Sequence, residues 1–149
     1  PNTPALVGEG MSALCPNKTL AANADEVGEV VKIFESLGKA EIVGENLMDA
    51  VTGVSGSSPA YVFMFIEALA DAAVMAGMPR DMSYTFAAQS VLGSAKLMLE
   101  TGKHPGELKD MVCSPAGTTI EAVRVLEEKG LRSAVIEAVR ACVEKSRSL

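Results

Sequence analysis

Apolar positions near the start of the chain alternate, and farther on they recur every three or four residues. Glu9–Cys15 reads as a strand that stops at Pro16-Asn17. Asp25 is placed to cap a helix running to about Leu37, with Val27, Val30, Val31 and Phe34 on one face and Gly38 ending it. Ala40–Val43 reads as a second short strand. This strand–helix–strand order suits the last part of an α/β domain. After Gly44 the period is helical throughout, and no further strand pattern occurs. Helices are expected over 45–53, 59–76, 81–100 (opened by Asp81 or Ser83), 119–129 and 131–145. The Gly/Ser-rich stretch Gly53–Ser58 reads as a break, with Pro59 in the first turn of the next helix, where its missing N–H costs little. The segment from His104 to Thr118 reads as a loop.

The helix over 59–76 carries Tyr61, Val62, Phe63, Phe65, Ile66, Leu69, Ala72 and Ala73, apolar nearly all round. Such a helix is buried on most sides, and in a chain of 149 residues a second subunit is the expected cover. Hydrophobic residues are 48% of the chain, enough for a core. Aromatics are only 4% with no Trp, so Ala, Val, Leu and Met must fill it. Thirteen basic against nineteen acidic residues give a net charge of −6, with no basic cluster. This disfavours nucleic acid and anionic membrane surfaces as partners. The longest apolar run, Pro59–Met78, is interrupted by Glu67 and Asp71, so no membrane span is expected. Cys15, Cys113 and Cys142 are odd in number, far apart and without a CxxC, which reads as reduced thiols in a cytoplasmic protein. With one His, no metal site is expected. Pro1-Asn2-Thr3-Pro4 reads as the middle of something, so the chain is expected to be a C-terminal portion of a longer protein.

The chemistry concentrates in His104–Ala122. Ser114-Pro115-Ala116-Gly117-Thr118-Thr119 precedes a helical pattern. One reading is an ordinary cap, in which a hydroxyl accepts from the first free amides. The other is an anion site, with the Ser114 and Thr119 hydroxyls and the Gly117 and Thr118 amides holding a small carboxylate at the positive end of the helix dipole. Ser55-Gly56-Ser57-Ser58-Pro59 is either a flexible connector or a surface open to a planar ligand. His104 reads as a turn residue rather than a general acid, because no base lies near it in sequence. Glu45 and Asp49 lie one helical turn apart and read as a solvated face. There is no GxGxxG, no Walker motif and no nucleophile elbow.

Taken together, Pro1–Pro4, Asp49–Tyr61 and His104–Ala122 resemble the corresponding stretches of pyrroline-5-carboxylate reductase, and the resemblance extends over essentially all 149 residues. It implies a mostly α chain: the tail of an α/β Rossmann domain at 1–43, then an all-helical dimerisation and substrate-binding domain at 44–149. The implied reaction moves a hydride from NADPH or NADH to the C=N bond of 1-pyrroline-5-carboxylate, giving L-proline, with the cofactor's adenosine half held by sequence before Pro1. Ser114, Gly117 and Thr118 would hold the substrate carboxylate, and Thr119 would stand beside the ring nitrogen as the catalytic residue. Gly56, Ser57 and Glu45 would lie on the cofactor side. The implied assembly is a homodimer or a higher oligomer. Ser58 and Ala116 stand where the family more often has Gly, and Met111 where some members carry a polar residue. A related imine or hydroxyacid reductase and a non-catalytic helical dimerisation module are the alternatives.

Overall fold

The computed structural model describes residues 1–149 and divides into two compact units: Pro1–Tyr61 with Ile136–Leu149, and Val62–Val135. In the first, β1 (Gly10–Leu14) and β2 (Gly38–Ile42) pair in parallel, Gly10 opposite Gly38 and Leu14 opposite Ile42. Parallel pairing needs a crossover, supplied by α1 (Lys18–Ala21) and α2 (Ala24–Glu35). The strand–helix–strand reading is borne out. The cap of α2 is Asn23 rather than Asp25: Asn23 is extended, and its Oδ1 accepts from the Glu26 amide at 3.3 Å, leaving Asp25 inside the first turn. Gly38 does not end that helix but opens β2. Its φ of 140° and the Gly10 carbonyl oxygen, 2.1 Å from where a Cβ would sit, exclude any side chain there. Ser12, in the middle of β1, is fully buried with an unpartnered hydroxyl.

From Glu45 the backbone stays helical to Met75. It passes through a 3₁₀ turn (Glu45–Leu47), α3 (Met48–Val51), a π-helical turn (Thr52–Gly56) and α4 (Ser58–Met75). The expected break at 53–58 is therefore a change of helical pitch. Its cause is Pro59. With no N–H, Pro59 cannot bond the Ser55 carbonyl four residues back. Instead the Ser57 amide donates to Thr52 O five residues back, at 2.9 Å, and the Asn2 side chain donates to Ser55 O, also at 2.9 Å. The far side of this turn meets the end of α8 (Leu131–Ser146). A Cβ on Gly53 would lie 2.8 Å from Val143 Cγ2 and 3.2 Å from Val139 Cγ1, so glycine lets the two backbones approach. Ser146 Oγ donates to Asp49 Oδ1 at 2.6 Å.

Because the helix does not break, Glu45–Met75 is long and apolar enough to cross a membrane by length and composition only, a test that the core helix of a soluble protein also passes. Glu67 and Asp71 are too few charges to change that.

The second unit holds most of α4, then α5 (Arg80–Thr101), α6 (Pro105–Val112), α7 (Thr118–Glu128) and the start of α8. Gly77, at φ 96°, ends α4, with the Met78 amide bonded back to Ala73 O at 3.0 Å. α5 begins at Arg80, earlier than either expected opener, and Ser83 Oγ donates to Arg80 O. The buried side chains of this unit are small: Ala70, Ser83 and Ala87. The large ones face outward, with Phe63 at 59% and Phe86 at 61% exposure.

Candidate functional site

The His104–Thr118 stretch is not a simple loop. Pro105 pre-sets the first turn of α6, and His104 caps it, its Nδ1 accepting from the Gly106 amide at 3.1 Å. His104 is thus a turn residue, as expected. Lys109, on α6, pairs with Asp110, and this hydrogen bond holds its ammonium above the usual lysine range.

After α6 the chain makes a tight turn. The Gly117 amide donates to Ser114 O at 3.0 Å, across Pro115 and Ala116. Pro at the second position and φ 55° at Ala116 follow the pattern of a type II turn, whose third position normally takes Gly. Gly117 then begins α7 as an extended N-cap, and no side chain caps that first turn. A Cβ on Gly117 would lie 2.2 Å from Ser114 Oγ, so only glycine brings that hydroxyl against the helix start. Ser114 and Thr118 are exposed and Thr119 half-buried. The result is a row of amides with no side-chain acceptor, a positive helix end and three hydroxyls on one turn. Such free amides at a helix start are chemically able to accept an anion, and the side-chain cap that the other reading called for is not made. Glu121 stands nearby, its carboxyl held below the usual range by the Arg124 guanidinium. The pair is closed by 2.8–3.1 Å contacts, so the charge of Glu121 is countered where an anion would approach.

Gly56, Ser57 and Glu45 lie in the other unit. Gly56 and Ser57 end the π-helical turn together. Gly56 is exposed, and a Cβ there would meet nothing closer than 3.9 Å, so its face is open. Ser57 is half-buried, and its Oγ lies 3.1 Å from Cys142 Sγ. The Tyr61 phenol is held above its usual value chiefly by hydrogen bonding with Cys142, while Ser57 pulls it the other way. Glu45 is exposed in the 3₁₀ turn that opens the run. It lies about 16 Å from Gly56 at the helical rise of about 1.5 Å per residue, so it does not meet Ser57 within the chain. Cys142 and Asn2 were not singled out by sequence reasoning. Each reaches its partner across long stretches of chain, 85 residues for Cys142 and 53 for Asn2, where no local spacing gives a signal. No group of His, Cys, Asp and Glu side chains is arranged to hold a metal ion.

Known proteins share this architecture. Residues 45–149 match the family described as pyrroline-5-carboxylate reductase dimerisation. The chain is 63% identical over its whole length to the pyrroline-5-carboxylate reductase of Escherichia coli, of which it covers 55%. A solved pyrroline-5-carboxylate reductase from Coxiella burnetii superposes with a TM-score of 0.94 at 35% identity, over 99% of this chain and 54% of that one. The Plasmodium falciparum pyrroline carboxylate reductase with NADP bound gives 0.90 at 38% identity, over 99% of this chain and 60% of that one. The chain thus spans about half the length of its relatives. Its small parallel βαβ piece is the tail of a Rossmann domain and its helices form a dimerisation domain. By sequence and by fold, the chain belongs to the pyrroline-5-carboxylate reductase dimerisation family.

Proposed function

We propose that this chain serves hydride transfer from NADPH or NADH to the C=N carbon of 1-pyrroline-5-carboxylate, giving L-proline. Residues 1–43 act as the remainder of the nucleotide-binding domain and 44–149 as the dimerisation and substrate-binding part. The cofactor's adenosine half is held by sequence outside these 149 residues. The reading rests on the uncapped start of α7. A ring carboxylate accepts from the Thr118 amide and the Ser114 hydroxyl, with Gly117 keeping the approach open. Thr119, half-buried on the next position, stands beside the ring nitrogen. As the carbon gains hydride, that nitrogen gains electron density and Thr119 donates a hydrogen bond to it. A threonine hydroxyl is too weak an acid to supply the proton alone near pH 7, so water or an already protonated imine provides it. The cofactor supplies the hydride, and the bare face of Gly56 with the Ser57 hydroxyl receives its nicotinamide end. Most of the acceleration comes from holding the two reactants together.

The exposed apolar residues of α4 and α5 support a homodimer, in which a second copy covers Phe63, Phe65 and Phe86. A cytoplasmic location is part of the same reading, supported by three free cysteines. Thr119→Ala in the full-length enzyme is expected to lower the rate of proline formation at least about tenfold with NADPH binding intact. An unchanged rate would favour a non-catalytic dimerisation module. A substrate screen in which another imine or a hydroxyacid outperforms pyrroline-5-carboxylate would favour a related reductase.

A further inference from the structure

The π-helical turn that carries Gly56 and Ser57 is held from both sides. On one side the Asn2 side chain donates to Ser55 O at 2.9 Å. On the other, the end of α8 packs Val139 and Val143 against Gly53, and Ser146 bonds Asp49. Backbone direction is therefore fixed by these contacts and by the Ser57 amide bond to Thr52 O. None of them fixes where the Ser57 hydroxyl points. Two side chains stand by it: Cys142 Sγ at 3.1 Å, across the chain, and the Tyr61 phenol, one turn farther along α4, whose titration is influenced by both Cys142 and Ser57.

We infer that Cys142 is a positioning residue for the cofactor side of the site: its thiol orients the Ser57 hydroxyl toward the nicotinamide. This rests on the reading of Ser57 given above. A thiol is a weak donor and a weak acceptor. When S–H donates to Ser57 Oγ, the hydroxyl keeps its own proton to donate, to Tyr61 in the unliganded protein or to an acceptor on the ligand such as a carboxamide oxygen. A stronger partner, a carboxylate for instance, would capture that proton instead. Sulfur also fills half-buried space without demanding further hydrogen bonds. The same geometry ties the last helix to the cofactor rather than to the substrate, so its loss should be felt by one ligand only.

The test uses the full-length enzyme carrying this segment, with Cys142→Ala and Cys142→Ser. Readouts are the KM for NADPH and for pyrroline-5-carboxylate, the Kd for NADPH from the fluorescence of the reduced nicotinamide, and the melting temperature. The alanine variant is expected to raise the KM and Kd for NADPH about three- to tenfold, the loss of one oriented hydrogen bond, with the KM for pyrroline-5-carboxylate within about twofold. Serine, which keeps a donor at that point, should return both NADPH values to within about twofold of wild type. Unchanged NADPH values in the alanine variant, or a serine variant as impaired as alanine, would overturn the inference and leave Cys142 a space-filling residue. If the alanine variant does not fold, Tyr61→Phe probes the same cluster, and indifference of its NADPH values counts against the inference equally. A wild-type protein that neither binds NADPH nor reduces the substrate would overturn the underlying reading. A wild type that does both, with an indifferent Cys142, overturns the inference alone.

Discussion

Ala116 holds a φ of 55°, the one positive value outside glycine. A Cβ in the left-handed region costs about 1–2 kcal/mol against the following carbonyl. The strain sits one residue before the N-cap of α7, in the turn that brings Ser114 to the helix start. Ala116→Gly should therefore stabilise the protein by about 0.5–1 kcal/mol, since the relief outweighs the added freedom of the unfolded chain. Urea unfolding followed by circular dichroism measures it, and a lower midpoint would refute it. The hydroxyls and glycine of this turn were legible in sequence, because a cap and an anion site are both built from neighbours. The left-handed alanine was not, since Pro-Ala carries no demand for positive φ until the Gly117–Ser114 bond closes the turn. Cys142 was illegible for a different reason. Its partner lies 85 residues away, and no spacing along the chain encodes that meeting.

Among the elements, hydrophobic period placed α2, α4, α5, α7 and α8 to within two residues at each end. These helices are long enough for the period to repeat. α6 escaped notice because it has eight residues and opens on Pro105-Gly106, which read as a turn. The stretch around Gly53 was mistaken for a break because Gly and Ser are helix-poor. Tertiary contacts override that propensity, with α8 on one side and Asn2 on the other. Gly53→Ala tests the balance. Alanine is the better helix former by about 1 kcal/mol. Its Cβ would meet Val143 Cγ2 at 2.8 Å and the Val139 carbonyl oxygen at 3.3 Å, and valine is stiff at χ1. Overpacking of this kind costs about 1–3 kcal/mol, so the substitution should destabilise, against its helix propensity. A raised melting temperature would show that α8 yields without cost.

For the whole molecule, the apolar residues left uncovered decide behaviour in solution. Phe63, Met64 and Phe65 of α4 are 42–68% exposed, as are Phe86 and Leu99 of α5 within the same range. At micromolar concentration the chain should sediment at about twice its 15.5 kDa or above, and Phe63→Asp should shift it toward the monomer. A stable wild-type monomer would contradict the dimer. Separately, the first compact unit is not contiguous in sequence: residues 1–61 are completed by 136–149, with 62–135 intervening. During synthesis the ribosome delivers the π-helical turn long before the helix end that packs on it. The intervening helices can collapse first, before residues 136–149 are available to close on the π-helical turn. A stall in that interval would leave the π-helical turn without its clasp.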